Sequence, residues 1–168
     1  MGSNNIDRLD RKILKMISQN ARIPFLEVAQ ECNVSGAAIH QRVQKLRNNG
    51  VIKGSVFVID AYNIGYKTCA YVGITLTDTK LFNSVVEKLK AIPEIVECHY
   101  STGKFAMFLK IYAKDNRHFL HIVLDKIGYI EGVAHTETFQ ISLDEIFNRQ
   151  LSVFDDAKED CANGEIVE

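Results

Sequence analysis

Apolar residues recur at helical spacing through the first fifty positions and mostly in alternation through the next ninety, and the change of period falls close to Gly50. Ile6, Leu9, Ile13, Met16 and Ile17 line one side of a predicted helix from Ile6 or Asp7 to Asn20. Asp7 and Asp10 sit in its first turn, where negative charge suits the helix dipole. Asn20 to Pro24 breaks the pattern, and Pro24 suits the opening position of a second helix with Val28 and Ala29 on its inner side. Asn33-Val34 makes the next turn. Ser35 is a good N-cap for a third helix, Ile39, Val43 and Leu46 form its narrow apolar stripe, and Gly50 suits the C′ position where it stops. Two short helices joined by so brief a turn predict a helix-turn-helix.

After Gly50 the texture changes. Val51 to Asp60 is β-branched and aromatic enough to be a strand, and Ala61 to Lys67 reads as a linker. From Thr68 the order is strand (68–77), helix (80–92), strand (95–101), strand (105–113), helix (116–128) and strand (133–143), with Thr102-Gly103-Lys104 between the second and third strands. The predicted class is therefore α+β: an N-terminal winged helix-turn-helix, three helices plus a strand, followed by a ferredoxin-like βαββαβ domain with both helices on one face of an antiparallel sheet. The second face would carry Tyr71, Phe108 and Tyr112. That face is too apolar to leave in water, so an identical subunit in two-fold symmetry is its expected cover.

Charge sharpens this division. Residues 1–60 hold nine Lys/Arg and five Asp/Glu, a balance of +4, whereas residues 155–168 hold six carboxylates and one lysine, a balance of −5; the net charge of −1 hides both. The third helix contains His40, Arg42, Lys45 and Arg47 and no carboxylate. Opposite its apolar stripe lie Ala37, Gln41, Gln44, Lys45 and Asn48, flanked by Ala38 and Arg42. Small residues first, then amides and cations, suit a helix entering the DNA major groove. A solvated structural helix would ordinarily mix signs. Ser35, Gly36, Ala37, Ala38, Gln41, Arg42 and Lys45 are the expected groove residues, and Arg47 and Arg22 the phosphate contacts. The expected divisions are 1–53 for DNA binding, 54–67 for strand and linker, 68–150 for ligand binding and oligomerisation, and 151–168 for an acidic tail.

No stretch approaches a membrane span, the N-terminus has no apolar signal core, and the expectation is a cytoplasmic protein with Met1 to Asn5 loose. Cys32, Cys69, Cys98 and Cys161 are too widely spaced for a zinc or redox motif. Catalysis finds little support: Cys98 and His99 point to opposite faces of a strand, and His118 and His121 lack a third metal ligand. Neither a cofactor nor a metal is expected. An architectural DNA-compacting protein is the alternative, since it would use the same basic helix.

With these residues in view, the chain resembles the Lrp/AsnC, or feast/famine, regulators over nearly all of residues 6–147. The resemblance rests on Ile6-Asp7…Leu9-Asp10…Ile13-Leu14, Ala21-Arg22-Ile23…Glu27-Val28-Ala29, Val34-Ser35…Ile39…Arg42-Val43…Leu46…Gly50-Val51-Ile52-Lys53-Gly54, Ile64-Gly65, Glu97-Cys98…Thr102-Gly103, and Gly132-Val133…Thr136…Thr138. It implies a DNA-binding transcription regulator that dimerises through the sheet domain, often assembles into octameric discs, and holds a small effector, commonly an amino acid, at subunit interfaces. Thr102, Gly103, Lys104, Phe105, Ala106, Thr136 and Thr138 are the matching effector positions. One departure stands out: the family turn Gly-Asp-x-Asp reads Gly103-Lys104-Phe105-Ala106 here, so an ammonium group loses its counter-charge. Two expectations follow from this change: a different effector, such as an anionic metabolite attracted to Lys104, or a vestigial pocket that holds nothing. Ala38 also replaces a hydroxyl residue common in the family.

Overall fold

Asp7 starts the first helix by accepting the Asp10 N–H at 2.8 Å, while the Asp10 carboxylate accepts the Asp7 N–H at 3.3 Å, a reciprocal capping box. The computed structural model describes residues 6–141 and Val153. Met1 to Asn5, positions 142–143 of the expected fourth strand, Cys161 and the acidic segment from Asp155 lie outside the described residues. The chain divides into two units, the first holding the residues up to Phe57 with Val153 and the second beginning at Val58.

In the first unit, α1 (Arg8–Gln19) is followed by α2 (Phe25–Cys32) and α3 (Gly36–Asn48). Asn33, at φ 53°, takes the left-handed conformation that ends α2 within one residue. Ser35 then caps α3 by accepting the Ala38 N–H at 3.2 Å, and Gly50, at φ 72°, occupies the left-handed position beyond its end. Ile13, Val28, Ala29, Ile39 and Val43 are buried together, with Leu9, Met16, Ile17, Phe25 and Ile52 packed around them. This is the three-helix core anticipated from the periodicity.

Val51 to Asp60 differs from expectation: it is in no strand ladder. Its side chains Val56, Phe57, Val58 and Ile59 are 65–89% exposed. β-branched and aromatic residues favour a pleated surface only when a neighbouring strand supplies the hydrogen bonds, and this segment has none among the described residues.

The second unit contains β1 (Thr68–Leu76), α4 (Phe82–Lys90, entered through a 3-10 turn at Thr79–Leu81), β2 (Ile95–Tyr100), β3 (Met107–Ala113), α5 (Asn116–Leu120) and β4 (Val133–Ile141). The sheet order β2-β3-β1-β4, antiparallel throughout, is that of the ferredoxin-like plan. α5 runs on into wider turns over His121–Ile127 in place of a uniform α-helix. Its inward residues Phe119, Ile122, Val123 and Ile127 are nonetheless buried against Val72, Ile74, Leu109 and Ile111 of the sheet, because an i→i+5 turn carries Ile122 and Ile127 to the same side.

Strand alternation sends Tyr71, Gly73, Phe108, Lys110 and Tyr112 to the other face. Its charges are satisfied locally: Glu97 meets His99 at 3.1 Å and Lys110 at 3.4 Å. The hydrogen bond from His99 holds the Glu97 carboxyl below its ordinary range. The rest of that face carries Glu137 from β4 and a set of aromatics that includes Phe139 at 43% exposure.

A second charge cluster braces the helix side. Glu94, with its side chain only 12% exposed, receives Lys126 Nζ at 3.2 Å on both oxygens and His118 Nε2 at 3.3 Å. His118 Nδ1 accepts the Lys114 N–H at 3.2 Å, which turns Nε2–H toward the carboxylate. Burial alone would raise the Glu94 pKa, but its own backbone N–H, Lys126 and His118 together lower it. Because that pKa is lower in the folded than in the unfolded chain, its stabilisation is present above the unfolded value and lost as pH falls through the folded one. Glu94→Gln should therefore lower the urea midpoint at pH 7 and flatten the acid limb of the stability profile below about pH 4.5, the ordinary glutamate range. An acid limb unchanged from the parent would refute this role.

Candidate nucleic-acid interface and effector turn

The exposed surface of α3 is built by the stripe it buries. Ile39, Val43 and Leu46 are 0–4% exposed, and at 100° per residue this turns Ala37, Gln41, Gln44, Lys45 and Asn48 to solvent, as the burial pattern records. Gln44 Nε2 donates to Asn48 Oδ1 at 3.0 Å, so part of the amide row is already ordered. Gly36 and Ala38, both half-buried, stand at the entry to the helix, and nothing lies within 4 Å of where a Gly36 Cβ would be. Lys45 and Arg47 occupy the last turn, where cations complement the helix dipole. His40 packs edge-on against Phe25 at 4.7 Å, and the Arg22 guanidinium lies 4.3 Å above the Phe57 ring. Arg22 is thereby held with its charge at the surface.

Arg42 has partners within the chain: its Nη1 meets Asp7 Oδ2 at 2.5 Å and Asp10 Oδ1 at 2.8 Å, tying α3 to the cap of α1. The Asp10 side chain is 4% exposed, and without a cation that carboxyl would be buried unpaired. The Arg42 hydrogen bond is the largest cause holding the Asp7 pKa below its ordinary value, and Asp7 and Asp10 reciprocally raise that of Arg42. The helical angle carried the signal: Arg42 lies four residues before buried Leu46, on the edge of the apolar stripe. Among the named groove residues, Ala37, Gln41 and Lys45 share the open face, with Arg47 on its flank.

The turn between β2 and β3 is the second candidate. Its ends are joined by Ser101 N–H to the Ala106 carbonyl at 3.1 Å, Gly103 N–H donates to Ser101 Oγ at 3.3 Å, and Thr102, Gly103 and Lys104 are exposed. Phe105, 6% exposed, folds back over the open sheet face. A Cβ on Gly73 would come within 2.6 Å of the Phe105 ring, so glycine is what admits the aromatic there. Phe108 and Phe139 complete the cluster, their ring centroids 5.2 and 6.2 Å from that of Phe105.

Lys104 is not the free cation expected. Its Nζ meets Glu137 Oε2 at 2.5 Å, so an anion would find this charge already paired. Thr136 and Thr138 are separated from this group: they stand opposite Ile74 and Val72, on the helix side of the sheet, whereas Glu137 and Phe139 stand opposite Gly73 and Tyr71. Ala106 likewise packs toward the helix-side core. One subunit thus brings together Lys104, Phe105 and Glu137, and Glu137 is the member the sequence reading did not pair. Among the described residues no group of three metal-ligating side chains occurs, and no helix is long and apolar enough to cross a membrane.

Residues 6–53 match a winged helix-turn-helix DNA-binding model and residues 69–151 an Lrp/AsnC ligand-binding domain. Among the relatives, the regulatory protein AsnC of Haemophilus influenzae is 38% identical over 135 residues, covering 80% of this chain and 90% of its own. The structure of Escherichia coli AsnC superposes with a TM-score of 0.81 at 32% identity, covering 88% of this chain and 98% of its own. A feast or famine regulatory protein from M. tuberculosis, complexed with L-methionine, shares the fold with a TM-score of 0.80 at 24% identity, over 88% of this chain and 99% of its own.

The clamp at Arg42 has a measurable signature. Arg42→Ala should destabilise the fold by about 1–3 kcal/mol, the cost of leaving a buried carboxyl without its partner. Asp10→Asn should do the same, and the double variant should lose less than the sum. Strict additivity in chemical denaturation would show that the three side chains do not act together.

Proposed function

The chain belongs to the Lrp/AsnC family of DNA-binding transcription regulators, and from that premise we propose that α3 reads the major groove with Gln41 against base edges and Ala37 at closest approach. Lys45, Arg47 and Arg22 contact phosphates. The observation that carries this reading is the carboxylate-free exposed face of α3, held in place by a buried stripe and by the Arg42 clamp. Arg42 acts by positioning the helix. A second copy of the chain covers the aromatic open face of the sheet, giving a homodimer that presents two recognition helices to two half-sites; higher assembly to an octamer would follow from the same domain. Residues 1–53 serve as the DNA-binding part and 68–150 as the part that binds ligand and partner.

The effector we propose is an α-amino acid. Lys104 and Glu137 form an ion pair of opposite charges beside an aromatic wall, and a zwitterion can exchange into such a pair, its carboxylate taking the cation and its ammonium the anion. The L-methionine complex of the fold relative supports this class of ligand over an anionic metabolite.

Two measurements test the reading. In fluorescence anisotropy on a selected operator, Lys45→Ala should weaken specific and random DNA alike and reduce the salt slope by about one, whereas Gln41→Ala should cost roughly 1–3 kcal/mol on the operator only. Equal affinity of the parent protein for operator and random DNA would instead favour the architectural alternative. In calorimetry with an amino-acid panel, Lys104→Met and Glu137→Gln should each weaken the best ligand by roughly tenfold or more, the worth of one charge-assisted hydrogen bond. A ligand indifferent to both substitutions binds elsewhere.

A further inference from the structure

Three carboxamides stand on the exposed face of α3, Gln41, Gln44 and Asn48, opposite the buried stripe of Ile39, Val43 and Leu46. Two of them are joined. Gln44 Nε2 donates to Asn48 Oδ1 at 3.0 Å, an i, i+4 bond between exposed side chains. A carboxamide carries two N–H donors and one carbonyl oxygen, so this bond leaves Gln44 with one N–H and its Oε1 on neighbouring ends of the same amide. It also fixes the far end of a side chain that would otherwise sample several rotamers. No carboxylate lies in α3, and Lys45 and Arg47 stand in the same last turns of the helix, so a polyanion can approach this amide without repulsion from its own element.

We propose that Gln44 is a specificity-determining residue that reads a single adenine in the major groove, and that Asn48 is the positioning residue that orients it. The chemistry selects the base. In the major groove adenine presents an acceptor, N7, beside a donor, the N6 amino group, and one N–H and one carbonyl oxygen of an amide meet both together. Guanine presents two acceptors there, thymine an acceptor and a methyl group, and cytosine a donor, so each satisfies one half of the Gln44 amide and leaves the other unpaired. Position separates Gln44 from Gln41. Three residues at 1.5 Å each place it about 4.5 Å farther along the axis, more than the roughly 3.4 Å between successive base pairs, so the two amides address different pairs. The bond to Asn48 adds pre-organisation, because a long polar side chain that is already held loses less freedom when it meets a base. The role of Gln44 rests on the reading of α3 as the groove helix, and adds to it which residue selects which base.

Fluorescence anisotropy with the full chain tests this, on an operator selected from random duplexes, on every single-pair substitution of that operator, and on random DNA. The parent should prefer A·T at one operator pair by about fivefold or more, the discrimination of one bidentate amide contact. Gln44→Ala should weaken the operator by a similar factor, reduce the preference at that one pair to below about twofold, and leave random DNA within about twofold, which also reports that the helix is folded. Asn48→Ala should weaken the operator by about threefold in the parent and by nothing measurable in the Gln44→Ala background, because a positioning residue acts only through the residue it holds. Preferences unchanged at every pair by Gln44→Ala would overturn the role of Gln44 and leave α3 as the groove helix. Equal losses on operator and random DNA would overturn it too, making Gln44 a backbone contact. An Asn48→Ala effect of the same size with and without Gln44 would overturn the positioning role. A parent that binds operator and random DNA alike would remove both the role of Gln44 and the reading of α3 beneath it.

Discussion

A carboxyl buried to the degree of Asp10 is tolerated only when its hydrogen bonds and its charge are met, and here one arginine and one helix cap meet both. The same two aspartates that begin α1 receive Arg42 from α3, so the start of one helix and the rotation of another are set by one group of atoms. The rest of the first unit follows from this constraint. With Arg42 turned inward beside Ile39, Val43 and Leu46, the opposite side of α3 is left to Gln41, Gln44, Lys45 and Asn48. A recognition surface needs its donors held to a fraction of an ångström, and one guanidinium nitrogen, Arg42 Nη1, shared between two carboxylates supplies a direction that apolar contacts lack.

In the second unit the period of two plays the corresponding role. Each strand sends alternate residues to the helices and to the open face, and the register joins them across strands: Val72 and Leu109 on one side, Gly73 and Phe108 on the other. The composition of the turn at 101–106 gains its meaning from this division. Phe105 lies over Gly73 because the sheet leaves a place without a side chain there, and Lys104 reaches Glu137 because β4 presents that residue on the same face. The threonines at 136 and 138 belong to the opposite side for the same reason, whatever their nearness in sequence.

The legible features were those encoded within a few residues. Ser35, Asn33 and Gly50 mark helix ends through their own backbone and hydroxyl chemistry, and the buried positions of both units follow from period alone. Features requiring a distant partner were not legible. Arg42 meets Asp7 across 35 positions and Lys104 meets Glu137 across 33, and no local spacing marks either pairing. Val51 to Asp60 shows the limit from the other direction, since its residues favour a strand while a ladder needs a second strand. The wide turns of His121–Ile127 share an inward set of residues with an α-helix, and the pattern therefore cannot distinguish the two.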